Sequence, residues 1–130
     1  MDIDHIGYLT NSIEITALDF VSLGYEKGEC FNDDNQKTRI CFMTKKGETK
    51  VELVEPYEEN TKMQKQFSKQ GGVAPYHLCF IVDDMNEAVE EMSNNGFIPL
   101  FKPVEAIAFN NSKICYFWKK TIGFVELLEK

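Results

Sequence analysis

An α+β fold built from two tandem βαβββ units is what the sequence predicts, and three observations predict it. Positions 39–56 (RICFMTKKGETKVELVEP) and 113–130 (KICYFWKKTIGFVELLEK) align without a gap at an offset of 74, with eight of eighteen residues identical. Upstream, His5 matches His77, Asn11 matches Asp83, Gly24 matches Gly96 and Tyr25 matches Phe97, all at an offset of 72. Each copy also runs in the same order: an alternating segment, a segment with helical periodicity, then three short strand-like runs. Two extra residues between 97 and 113 account for the change of offset.

The first copy opens on a strand over 3–10, with Ile3, His5, Gly7 and Leu9 on one face. Asn11 offers a helix N-cap and Glu14 completes a capping-box pattern, in which each side chain satisfies an otherwise orphaned backbone donor. The helix that follows presents Ile13, Ala17, Phe20 and Val21 to the core and stops at Gly24, the residue that most easily turns left-handed past a helix end. Strands are expected over 25–31, 38–44 and 49–55, the last two joined through Lys45-Lys46-Gly47, read as a solvated turn. The second copy repeats the plan: a strand over 76–82, a cap at Asp83, a helix burying Met85, Ala88, Val89 and Met92, and a stop at Gly96. The chain thus reads as a single domain, 1–130, with units at 1–56 and 76–130. The linker, 57–75, carries a short helix over 60–69 that presents Met63 and Phe67. Residues 102–112 (KPVEAIAFNNS) are longer than their counterpart and unusually apolar for a loop, which marks Ile107 and Phe109 as substrate contacts.

With 43% hydrophobic and 27% charged residues the composition is that of a globular protein. Its net charge of −7 excludes a nucleic-acid partner, which would demand a clustered excess of Lys and Arg. Apolar runs are too short to span a bilayer, and the first residues lack a basic-then-apolar targeting pattern, so a cytoplasmic location without membrane association is expected. The four cysteines, Cys30, Cys41, Cys79 and Cys115, show no CxxC spacing and read as reduced core residues. Arg39 is the sole arginine and the third candidate for substrate contact.

Four polar residues do not fit a purely structural account. The chain has two histidines, and they are repeat partners; Glu52 and Glu126 are another such pair, each inside an apolar strand (KVELV and FVELL). Buried carboxylates without counter-charge are costly enough to protonate or be lost. One divalent cation resolves that cost, since two neutral imidazoles and two carboxylates cancel its charge. Two nitrogen and two oxygen donors without thiolate suit nickel, cobalt, zinc, manganese or iron and leave positions for water or substrate.

Paired βαβββ units with His on the first strand and Glu on the last of each resemble the vicinal oxygen chelate superfamily, which includes glyoxalase I, methylmalonyl-CoA epimerase, extradiol dioxygenases and antibiotic-resistance proteins. The segments DHIGY, VELVEP, PYHLCFIVDDM and VELLEK are most similar to its glyoxalase and epimerase branch. The resemblance implies the glyoxalase/bleomycin-resistance fold, a cup-like, partly open eight-stranded mixed sheet, and one divalent metal, nickel, cobalt or zinc before manganese, held by His5, Glu52, His77 and Glu126. It implies Glu126 as general base, with Glu52 the second catalytic carboxylate, and a homodimer. The leading expectation is a glyoxalase I type lyase acting on a hemithioacetal; the alternatives are an epimerase acting on an acyl thioester and a metal-free binding protein. Glyoxalase I carries Arg and Asn where this chain has Leu9 and Pro56, and the Pro after VELVE resembles the epimerase branch instead.

Overall fold

A computed structural model describes all residues, 1–130. It contains three α-helices and nine strands in a mixed α+β arrangement. The chain divides into two compact units, residues 6–76 and residues 1–5 with 77–130, so the first strand, β1 (Ile3–Leu9), contributes to both.

In the unit 6–76, strands β2 (Glu26–Asp33), β3 (Thr38–Thr44) and β4 (Lys50–Pro56) form an antiparallel ladder that continues onto β1. Side chains alternate between the faces of a strand. Val51 and Leu53 of β4 therefore point to one face, where they meet Ile13 and Ala17 of helix α1 (Ile13–Ser22), while Glu52 and Val54 point to the other. Phe20 packs half-buried at the edge of this core and Val21 is exposed, because the helix rests on its first turns. Helix α2 (Thr61–Lys69) occupies the expected linker segment, with Asn60 as N-cap and Met63 and Phe67 half-buried.

The unit of 1–5 and 77–130 holds β5 (Ala74–Val82) from His77 onward, α3 (Met85–Asn94), β6 (Ile98–Pro99), β7 (Val104–Ala106), β8 (Ser112–Lys119) and β9 (Gly123–Glu129). Strand β9 runs parallel to β5 and antiparallel to β8, which carries β6 and β7 on its far side. Strand β7 is the ninth: the apolar segment read as a loop pairs Val104 with Ile114 and Ala106 with Ser112. Alternation sorts β9 as it does β4. Val125 and Leu127 join Met85, Ala88 and Met92 of α3, Cys115 and Phe117, whereas Glu126 and Leu128 face the opposite side with Cys79, Ala106 and Ile114.

Both helix starts differ from expectation by one residue and by mechanism. The N-caps are Ser12 and Asp84, whose side chains accept from Ile15 N and Glu87 N. The backbone N–H of Ile13 donates to Glu55 Oε1 and that of Met85 to Glu129 Oε2, each at 2.7 Å. A carboxylate from the end of the last strand thus replaces the capping box, and Glu14 instead pairs with Arg39. The helix ends behave alike: Gly24 and Gly96 take positive φ of 96° and 85°. Beside them Lys45 Nζ donates to Leu23 O at 3.0 Å and Lys119 Nζ to Asn95 O at 2.8 Å, so these lysines cap helices. No helix is long and apolar enough to cross a membrane.

Leu53 and Leu127 occupy equivalent, fully buried positions under α1 and α3. Replacing either with Ala should cost about 2–5 kcal/mol in urea unfolding, while Leu18→Ala on the exposed face of α1 should stay within about 0.5 kcal/mol.

Candidate metal centre

On the face of β5 and β9 turned away from α3, three of the sequence-predicted residues converge: His5 on β1, His77 on β5 and Glu126 on β9. His5 Nε2 lies 3.2 Å from His77 Nε2, and Glu126 Oε1 lies 3.0 Å from the first and 3.1 Å from the second. All three residues are buried, none more than 4% exposed. In the other unit Glu52 is equally buried on β4, opposite Phe42 of β3, as Glu126 is opposite Tyr116 of β8.

A fourth side chain fixes the roles of the nitrogens. His5 Nδ1–H donates to Asp4 Oδ2 at 2.8 Å, and Asp4 Oδ1 accepts from Lys130 Nζ at 3.0 Å. A neutral imidazole with its proton on Nδ1 turns a lone pair outward at Nε2, the atom that faces His77 and Glu126. Asp4 was not legible as part of the site, since neighbours on a strand point to opposite faces. The only signal was its adjacency to His5, which alternation argues against.

Charge is confined here. Burial alone would raise the Glu126 carboxyl, but a proton held toward it by the His5 or His77 ring more than offsets burial and keeps it well below the usual range, at about 2. Burial lowers His77, against the pull of Glu126. Burial pushes the Cys79 thiol, which lies near Asp4 and His5, up to about 12. Ring contacts set the imidazole planes: Phe109 stacks on His5 at 5.6 Å and 12°, Tyr116 meets His77 edge-on at 5.1 Å, and Phe101 lies against Tyr116. Phe109 ends a 3-10 turn, Ile107–Phe109, and the chain then passes through Asn110 and Asn111, both left-handed, before Asn111 N closes on Ala106 O. Ile107 is exposed on the same turn. Arg39, in the other unit, holds the Glu14 carboxylate.

The three donor atoms fit a divalent ion. Atoms bound to one ion at ~2.0–2.2 Å lie roughly 3 Å apart when they take neighbouring positions. Glu126 Oε1 takes no well-aligned N–H despite its proximity to both imidazoles. Three lone-pair-bearing atoms at such separations repel unless a cation or a shared proton lies among them.

A two-unit α+β fold with His, His and Glu on adjoining strands defines a class of protein, and the comparisons supply the family. The profile of the Glyoxalase/Bleomycin resistance protein/Dioxygenase superfamily matches residues 4–116, and the chain belongs to this superfamily. Among solved structures, methylmalonyl-CoA epimerase from Mycobacterium tuberculosis superposes with a TM-score of 0.84 at 20% identity, covering 98% of this chain and 86% of that one. A hypothetical protein of Bacillus halodurans C-125 gives 0.84 at 26% identity, covering 99% and 94%. The Streptomyces coelicolor methylmalonyl-CoA epimerase in complex with 2-nitronate-propionyl-CoA gives 0.84 at 22%, covering 100% and 94%. No curated protein matches.

Two outcomes follow. Replacing Asp4 with Ala should weaken cobalt or zinc binding, read by calorimetry, about 10- to 100-fold, the usual cost of losing such an outer partner; unchanged affinity would remove Asp4 from the site. In chelator-treated protein, stability should fall with acid in two windows. The unfolded chain binds a proton at His77 near 6.5 and at Glu126 near 4.5, and the folded chain holds both values lower. The unfolded state therefore takes up more protons, below 6.5 for His77 and from 4.5 down to about 2 for Glu126. Urea midpoints measured across pH should decline through both, and His77→Gln should flatten the upper window.

Proposed function

We propose that the chain is a divalent-metal-dependent isomerase that removes a proton from the carbon next to a thioester carbonyl and returns one to the same carbon, in the manner of an acyl-CoA epimerase. The observation that carries this reading is the buried, ionised Glu126 carboxylate facing two imidazoles. His5, His77 and Glu126 would hold the metal, and the sequence repeat assigns Glu52 as the fourth ligand. The donor set suits nickel, cobalt, zinc or manganese. When bound, such an ion supplies Lewis acidity that makes the C–H beside a carbonyl easier to ionise.

The protein's own groups do the rest. Glu126 takes the proton, since a carboxylate has two oxygens and accepts on either. Returning a proton to the opposite face of the same carbon requires a second acid, and Glu52 is the residue the repeat provides. Asp4 and Phe109 keep His5 in one orientation, and Tyr116 does so for His77. Phe109 and Ile107 would contact substrate from the insertion, whereas Arg39 would first have to leave Glu14.

The sequence placed a glyoxalase I type lyase ahead of an epimerase; the comparisons support the reverse order. The relatives of like fold include epimerases, one of them in complex with a propionyl-CoA analogue. Leu9 and Pro56 replace the polar pair with which glyoxalase I holds glutathione. The lyase reading keeps one specific support, the carboxylate at Glu52, which matches the glyoxalase I ligand set.

Methylmalonyl-CoA incubated with the metal-loaded protein in deuterium oxide should exchange its α-proton. Chelation should abolish exchange, and Glu126→Gln should slow it about 10²- to 10⁴-fold. Turnover of the hemithioacetal of methylglyoxal and glutathione in place of exchange would favour the lyase. Exchange undiminished in metal-free protein would sink both.

A further inference from the structure

We propose that Cys30 and Cys41 form a peroxide-responsive dithiol, oxidised to an intrachain disulfide that staples β2 to β3. The two are direct register partners across the antiparallel ladder, so their side chains leave the sheet on one face. Opposed residues in such a ladder have Cα atoms ~4.5–5.5 Å apart, inside the ~4.4–6.8 Å range a disulfide spans. The bond therefore requires no change of register.

Their surroundings divide the labour. Cys30 is partly exposed, and Cys41 is fully buried. Burial, together with the adjoining Cys30, pushes the Cys41 thiol up to about 12, and Cys41 Sγ also donates to Gly28 O at 3.6 Å. The register shifts between Lys27 and Cys30, and there β2 comes so near β3 that a Cβ at Gly28 would lie 3.1 Å from Phe42 O. Cys115, the repeat partner of Cys41, is likewise buried and donates to Phe101 O at 3.2 Å, so a second thiol is the distinctive addition of the first copy. The insertion after 97 puts Lys102 or Val104 where a partner equivalent to Cys30 would stand.

The chemistry closes with hydrogen peroxide as oxidant. Cys30 sulfur attacks one peroxide oxygen, the O–O bond breaks, and a sulfenic acid and one water result. Cys41 sulfur then attacks the sulfenic sulfur; its proton leaves with the displaced hydroxide as a second water, and the S–S bond forms. Two thiols lose two electrons, which reduce one peroxide to two waters. Because Phe42 follows Cys41 and is the register partner of Glu52, the staple would stiffen β3 one residue from its pairing with the Glu52 position.

The test treats native protein with hydrogen peroxide, alkylates it after denaturation and digests it with trypsin. The expected product is peptide 28–37 joined to peptide 40–45 with the loss of two hydrogens, reversed by dithiothreitol, with Cys79 and Cys115 still alkylated. Cys41→Ser should leave Cys30 as a sulfenic or sulfinic acid without the link, and Cys30→Ser should leave Cys41 reduced. Over-oxidised Cys30 beside unlinked Cys41 in the unsubstituted chain, or a link to Cys79 or Cys115, would overturn the proposal.

Discussion

The structure turns on one carboxylate. Glu126 lies 1% exposed in the middle of β9, where burying an ionised group costs several kcal/mol even after the protein relaxes around it. Three apolar clusters surround the strands of these two units, and none can supply a counter-charge. The compensation comes from a proton or cation shared with two imidazoles, and those in turn need partners for their outer nitrogens. Asp4 serves His5 and is itself answered by Lys130. The chain Lys130, Asp4, His5, Glu126 alternates in sign or polarity at every step, so a change at its surface end reaches the buried one. In the ion-free chain a proton shared near His5 can quiet the triangle; a divalent cation does the same work and competes with that proton for the same lone pairs.

Precision of about half an ångström in such a site depends on how rigidly its strands are held. Glu126 shares β9 with Glu129, whose carboxylate takes the first free N–H of α3, so one strand both presents the site and anchors the helix behind it. Lys119, at the end of the neighbouring strand, takes a carbonyl at the other end of that helix. Helix α1 is held likewise by Glu55 and Lys45, with anion at the N-terminus and cation at the C-terminus, as the helix dipole prefers. The repeat therefore carries a fastening scheme as well as a ligand pair.

Much of this was legible because duplication doubles weak signals. A single Glu in an apolar strand says little; Glu52 and Glu126, with His5 and His77, say a good deal, and they led to the fold class and to the superfamily. Glu55, Glu129, Lys45 and Lys119 were also identical across the repeat, but their roles depend on contacts between elements, which local patterns do not encode. Strand β7 was hidden because three residues are too few for an alternation to register. Asp4 was hidden for the opposite reason: the alternation was clear and argued it away from His5, yet a short side chain at the strand's start can still reach round to Nδ1.

What separates a lyase from an epimerase here is narrower than the names suggest. Both begin by removing a proton beside a carbonyl, and the residues proposed to do so are the ones the repeat fixes. They differ in which carbon recovers the proton, and so in where a second acid stands and how the substrate is held. That part is carried by positions the repeat does not constrain: Leu9, Pro56, and the turn bearing Ile107 and Phe109. An apolar Leu9 and a Pro56 without a side-chain donor offer little to the charged ends of glutathione. Phe109, stacked on His5, presents instead a flat apolar surface beside the proposed reacting centre. That surface suits the short acyl part that either substrate would place there, so it is the lack of a polar pair at Leu9 and Pro56 that makes the epimerase reading the stronger of the two.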